Sequence, residues 1–376
     1  MGGKGIPLGR IFGIAFCINP SWLIIFIFTT WSLAGGYFSS IYPDWSPVVK
    51  ISAGVITSLL FFASVLVHEL MHSVVALRQG VAVKSITLFI FGGIAEITEE
   101  PKKASHEFVM ALAGPAASLM LGVILIGLSL GFHGMDGVGG CIGVAASWLG
   151  WVNLSLGACN MIPGFPLDGG RVLRAVLWGR SGNLCRATRI ASIVGRVMAI
   201  GIIVVGIHFI LTGGWLTGVW FALMGWFLFD AAVGSYRQVQ LNDLLSRHSV
   251  REAMEQICAV VPTDMHVEHL ISEYASQRAQ QCFAVMSGEA LEGLVFCDNL
   301  RALKRKTRHK QTVAQLMLPK EKLVWVDPDD GLDKALNAMR ENEMSQAPVM
   351  QDGNMIGVVN YKKLQWLIDA HSNRKQ

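Results

Sequence analysis

His68, Glu69 and His72 form the run H-E-x-x-H inside VLVHELMHSVV. On a helix, positions i and i+4 share one face, so the two imidazoles can grip one Zn2+. Glu69 stands beside them without being a ligand. It is placed to take a proton from a water whose pKa such a metal lowers to about 7. The motif is short, and a buried polar cluster that packs helices is the plainer explanation. Its surroundings argue otherwise, because ionisable groups inside an apolar span are costly and need a use. Zinc catalysis also needs a third protein ligand and an open position. Asp168, in NMIPGFPLDGGR, is bracketed by Pro163, Pro166, Gly169 and Gly170. Those residues unwind a helix and let a short carboxylate reach inward. An ordinary cap on the following segment is the alternative for Asp168 taken alone. Beside HELMH, it is expected to be the third ligand.

The elements that must position these groups are apolar. The 376 residues are 52% hydrophobic and 15% charged, with a mean hydropathy of +0.46. That composition fits a polytopic membrane protein and excludes a soluble zinc peptidase. Six stretches are long enough to span, at about 20–37, 50–78, 105–131, 140–162, 190–212 and 214–234. Up to Arg237 the chain holds 14 of its 31 Lys and Arg and 9 of its 27 Asp and Glu, so a sparsely charged body precedes a charge-balanced tail. All the Lys and Arg of the body except Lys50 fall at one set of span ends. The positive-inside rule then places both termini and the tail in the cytoplasm of a multi-pass protein of the cell membrane. His72, seven residues before Gln79, lies about 10 Å below that surface. The net charge of +4 belongs to the membrane half and gives no reason to expect a nucleic-acid partner.

Between the second and third spans, VAVKSITLFIFGGIAEITEE alternates like a strand and breaks at Gly92 and Gly93. A re-entrant β hairpin is expected there, with an interfacial loop as the alternative. The seven cysteines include no C-x-x-C pair and read as scattered thiols. His208 reads as a packed neutral histidine and Asp230 as an interfacial group. Glu107 reads as an ordinary acid at a helix start, and Gly114 as a helix-packing position.

HELMH in one span, with Asn160, Pro163, Pro166, Leu167, Asp168 and Gly169 closing a later one, resembles the site-2 protease family of intramembrane zinc metalloproteases. IPLGRIFGIAFCINPSW and FGGIAEI look like that family's N-terminal and re-entrant elements. The resemblance implies that His68, His72 and Asp168 hold one Zn2+ per chain and that Glu69 is the general base. It also implies that Asn160 positions substrate or stabilises the oxyanion, and that the strand around Gly92 and Gly93 pairs with an unwound substrate by strand addition.

The tail repeats itself at an offset of about 64 residues: CAVVPTDMHVEHLISEYASQRAQQCFAVMSGEALEGLVFCDNL answers LVWVDPDDGLDKALNAMRENEMSQAPVMQDGNMIGVVNYKKL. Each copy reads strand, turn, helix, strand, turn, strand, helix. Both resemble CBS domains, and together a tandem CBS module. That resemblance implies binding of an adenine nucleotide (ATP, ADP or AMP) and a homodimer formed through the pair. Asp298 is the candidate ribose contact in the first copy; Tyr361 stands at the corresponding place in the second. A ligand-free dimerising or substrate-filtering module is the alternative.

The expected architecture is a polytopic α-helical membrane domain of about six spans with a re-entrant β hairpin (1–237), then a cytoplasmic α/β tandem CBS module (245–308 and 312–370). The expected function is cleavage of transmembrane segments of other membrane proteins near the cytoplasmic face, as in regulated intramembrane proteolysis, modulated by the CBS pair. A CBS-regulated ion or metal transporter using His68, Glu69, His72 and Asp168 as an ion site is the competing class. It is disfavoured by the lack of an inverted repeat among the spans and by a glutamate placed as partner to an attacking water.

Overall fold

The structure, a computed structural model, describes residues 5–90, 92–97, 101–255, 258–274, 282–288, 290–296, 300, 311–342, 344–352, 354–361 and 363–365. The chain divides into two compact units, Met1–Val239 and Gln240–Gln376.

Six stretches among the described residues are long and apolar enough to cross a membrane. The first, Trp22–Ile41, joins α1 (Trp22–Ser32) through a π-helical turn, Leu33–Tyr37, to α2 (Phe38–Ile41). The second is α3 (Pro47–Arg78). Ser46 caps it, accepting from Val49 N at 3.5 Å, and Pro47 takes the first helical position, where its missing N–H costs nothing. Then follow α4 (Ala104–Gly131), α5 (Gly137–Asn160), the shorter α6 (Asp168–Ser181), α7 (Leu184–Leu211) and α8 (Trp215–Ser246). Buried positions in this bundle favour small residues such as Ala53, Ser58, Ala111, Ala117 and Ala146. Large apolar side chains such as Ile24, Trp31, Val123 and Val197 point outwards. Lipid supplies no hydrophobic drive between helices, so close backbone approach over small residues does the packing. His208 lies exposed on α7 instead of being packed.

The expected re-entrant hairpin is present as β3 (Val83–Phe89) and β4 (Gly92–Ile97). It belongs to a larger four-stranded sheet of order β1-β2-β3-β4, with β1 (Ile6–Ile11) and β2 (Ile14–Ile18) contributed by the N-terminal segment. β2 runs parallel to β3, pairing Ala15 with Ser85 and Ile18 with Leu88. The far end of β3 meets the head of α1, where Asn19 N donates to Leu88 O at 2.8 Å and Ile90 N donates to Ser21 Oγ at 3.3 Å. The sheet therefore runs from the end of α3 back towards the start of α1, and β4 forms one of its two edges.

The second unit repeats one pattern twice. β5 (Cys258–Pro262), α10 (Val267–Tyr274), β6 (Cys282–Ser287) and β7 (Ala290–Phe296) build the first copy. The second has Val326 bridged in parallel to Val349, then α12 (Leu332–Glu341), β9 (Gln346–Gln351) and β10 (Asn354–Asn360). The hairpin registers agree pair for pair. Cys282↔Phe296 recurs as Gln346↔Asn360, each 64 positions on, and the bulge after Val285 recurs after Val349. Each copy is completed by the segment that precedes the other. Leu245 and the short helix α9 (Val250–Ala253) join the core made by α12, β9 and β10. Val313 of α11 (Val313–Leu316) joins the core of β6 and β7, and β8 (Leu318–Pro319) pairs with β7. Cys17, Cys141 and Cys159 are free and Cys185 is in no disulfide, but Cys282 is disulfide-bonded, unlike the scattered thiols expected. Asp298 and the basic run 304–310 lie outside the described residues.

Candidate functional site

His68 and His72 project from one face of α3 and are each 4% exposed. Their rings stand at 78°, with centroids 5.0 Å apart. Asp168 is the first residue of α6. Leu167 takes the cap position and makes no side-chain cap bond. The Asp168 carboxylate turns to the histidines, with Oδ2 at 3.1 Å from His68 Nε2 and 3.2 Å from His72 Nε2. The two Nε2 atoms are 3.3 Å apart. Three donor atoms thus form a near-equilateral triangle.

This triangle fits a small tetrahedral cation. Ligand atoms about 2.1 Å from a common centre in that geometry stand about 3.4 Å apart, and the fourth vertex stays open. Hydrogen bonding points the same way. His72 Nδ1 faces the backbone carbonyl of Met110 at 2.6 Å. A carbonyl only accepts, so Nδ1 carries the hydrogen, and Nε2 is the ring nitrogen left facing inward for a ligand. Nε2 faces the Asp168 carboxylate oxygen at 3.2 Å, and a cation placed between them would draw on a lone pair from each. His68 Nδ1 is likewise held, by Ser118 Oγ at 2.9 Å. Partners of this kind fix the tautomer and aim of a metal-binding imidazole.

α4 supplies both partners and the space for the rings. A Cβ on Gly114 would collide with Nε2 of both His72 and His68. Gly114 is therefore needed for more than the helix packing read from sequence. Glu69 is half-buried on α3 and turned towards the sheet. A Cβ on Gly93 would lie 2.5 Å from Glu69 Cγ, so the backbone of β4 abuts the glutamate directly. Gly92, with φ of 131°, opens the same strand. Asn160 is the last residue of α5, half-buried, and its Nδ2 donates to Leu156 O at 3.0 Å.

The fold thus brings together His68, His72 and Asp168, and sets Gly93 against Glu69. Sequence reasoning missed Ser118 and the Met110 carbonyl, since nothing in a serine or a backbone oxygen marks it as a histidine's partner. Glu107 stands in the first turn of α4, as read from sequence, but it is fully buried and ion-paired with Arg174, a pairing the sequence did not give.

The chain is similar to known proteins in both of its parts. Residues 56–205 match the family model for peptidase family M50, and residues 313–368 that for the CBS domain. The chain is 36% identical to Rip3 of Mycobacterium tuberculosis over 375 residues, covering 97% of this chain and 93% of that protein. It is 27% identical over 303 residues to the zinc metalloprotease MJ0392 of Methanocaldococcus jannaschii, covering 80% and 81%. Among solved structures, the site-2 protease from Methanocaldococcus jannaschii is 28% identical and covers 62% of this chain and 95% of that one, with a TM-score of 0.44. The chain belongs to peptidase family M50, the site-2 proteases. It is an integral membrane zinc metalloendopeptidase carrying a CBS domain.

Proposed function

We propose that this protease cuts transmembrane segments of other membrane proteins close to the cytoplasmic face, with His68, His72 and Asp168 as the zinc ligands and Glu69 as the general base. The observation that carries this reading is the triangle of Nε2, Nε2 and Oδ2 atoms, its two rings locked from behind by Met110 O and Ser118 Oγ. Zinc held there supplies Lewis-acid polarisation of the scissile carbonyl and activation of water.

The remaining steps belong to the protein. A helical peptide bond is shielded, so the substrate segment must open into an extended strand first. The free edge of β4, through Gly92 and Gly93, takes that strand by main-chain pairing. The other edge is unsuited. β1 contains Pro7, which has no N–H to offer, and its register is broken between Pro7 and Gly9. Pairing on β4 lays the scissile carbonyl beside Glu69, which the Gly93 backbone abuts. The Glu69 carboxylate takes a proton from the attacking water and returns it to the leaving amine. Asn160 holds the substrate carbonyl from the end of α5.

The charge distribution supports cytoplasmic termini, and with them a cytoplasmic tandem module of 245–308 and 312–370 following a membrane domain of 1–237. The module gives the protease a regulatory input, an adenine nucleotide bound in part by Asp298, and a homodimer contact. The biological setting is regulated intramembrane proteolysis.

The test is mass spectrometry of the products made from a panel of single-span membrane proteins by the purified enzyme in detergent. Cuts inside the apolar segment, near its cytoplasmic end, are expected. Products that end only in water-exposed loops would contradict the reading.

A further inference from the structure

One stripe of α4 serves the whole metal cluster. Glu107, Met110, Gly114 and Ser118 follow one another at three- and four-residue spacing and therefore share a face. Met110 O holds His72, Gly114 makes room for both rings, and Ser118 holds His68. Glu107, one turn earlier, reaches instead to α6. Arg174 Nε donates to Glu107 Oε1 at 2.6 Å, and Arg174 Nη2 pairs with the same oxygen. Both residues are buried, Glu107 at 0% and Arg174 at 7% exposure. Arg174 Cζ also lies 5.3 Å from the centre of the Phe165 ring, and Phe165 sits in the turn that delivers Asp168. Arg171, between Asp168 and Arg174 on α6, approaches Met110 Sδ at 3.9 Å.

The zinc ligands thus come in two separately built halves. α3 and α4 carry the two oriented histidines, and α6 with its entry turn carries Asp168. We infer that Arg174 is a positioning residue that locks these halves together, setting Asp168 against His68 and His72 through Glu107 on one side and Phe165 on the other. This rests on the ligand assignment proposed above. A buried ion pair is a poor source of net stability, because desolvation offsets the Coulombic gain. It is a good source of registry: two forked donors and an aromatic face fix the rotation of α6 more sharply than apolar packing does. Groups hydrogen-bonded directly to a metal ligand alter metal affinity about 10–100-fold when lost; this pair acts one step further out, through α6 and its entry turn, so its loss is expected to cost less.

The experiment uses the full-length protein in detergent: wild type, Arg174→Gln, Glu107→Gln and Arg174→Lys. Four quantities are read: zinc affinity by competition with a chelator, the visible spectrum of the cobalt-loaded protein, the melting temperature of the metal-free protein, and kcat apart from KM. The expected result for Arg174→Gln and Glu107→Gln is zinc affinity lowered about 10-fold, the low end of the range for direct ligand partners, a changed cobalt spectrum, and a fall in kcat at nearly constant KM. Arg174→Lys, which keeps the charge but not the fork, should fall between these and wild type. It decides the matter if the glutamine variants fail to fold. Variants that melt earlier yet keep wild-type zinc affinity and cobalt spectrum would overturn the inference and leave the pair a simple strut. Wild type without stoichiometric zinc would sink the ligand assignment itself. That failure shows in a different arm, and the inference falls with it.

Discussion

At the scale of single residues, the site depends on three ligand atoms converging on one point. His72, its Nδ1 hydrogen committed to Met110 O, presents Nε2 to Asp168 Oδ2 at 3.2 Å. Two imidazoles and a carboxylate within 4.8 Å of one another, both rings held from behind, are why the cluster reads as a binding site and not as a packing motif. Two substitutions probe it on α4. Gly114→Ala adds a methyl where both imidazoles already lie, so the purified variant should retain far less than one equivalent of zinc by atomic emission. Full zinc content in that variant would show that the rings have room to spare. Ser118→Ala removes the partner of His68 Nδ1 at 2.9 Å. Its zinc affinity should fall about 10-fold or more with melting behaviour little changed. How much of this was legible in the sequence follows from the nature of each group. His68, Glu69, His72 and Asp168 declare themselves, because an ionisable side chain within or beside an apolar span is rare and helix spacing states which of them share a face. Ser118, Gly114, Glu107 and Arg174 do not. Their parts exist only once α4 and α6 are packed against α3, and a serine or a glycine in a membrane helix has many ordinary uses.

At the scale of elements, β4 brings the sheet against α3, with Gly93 abutting Glu69. An open sheet edge within lipid would leave backbone groups unpaired, and the proposed function gives that edge a substrate strand to pair with. Gly93→Ala should push Glu69 aside through the contact at Cγ, lowering kcat at least about 10-fold while zinc content stays at the wild-type value. If kcat is unchanged, β4 does not set the position of the glutamate. The hairpin itself was readable from the alternation of residues 83–97. Its two neighbours were not. β1 carries a register shift at Pro7 and Gly9, and Phe12 occupies the turn with φ of 52°, a conformation that favours glycine or asparagine. Local rules therefore hid the strands that the parallel pairing of β2 with β3 recovers.

At the scale of the molecule, two kinds of order meet in one chain: a lipid-facing bundle packed on small residues, and a repeated α/β module packed on large ones. The repeat was legible because patterning recurs at a constant offset. The exchange of leading segments was not, since Leu245 with α12, and Val313 with β6, are pairings between residues distant in sequence. The one-sided placement of Lys and Arg makes a statement about orientation that can be checked directly. Single cysteines introduced in a background free of reactive thiols, one in the loop at Met135 and one near the C-terminus, should react with a membrane-impermeant maleimide from opposite sides of the cell membrane. The C-terminal label should appear only when the cytoplasm is opened. The reverse pattern would place the module and the zinc site on the outer side.

The central claim is that a zinc ion held by His68, His72 and Asp168 works with Glu69 to cut peptide bonds. Its most direct test pairs zinc content with cleavage of a single-span substrate for wild type and Glu69→Gln. The account predicts one equivalent of zinc in both proteins and cleavage by wild type alone, because the substitution removes the proton acceptor and leaves all three donor atoms in place. Cleavage by Glu69→Gln at the wild-type rate, or wild-type cleavage undiminished after the metal has been stripped, would contradict it.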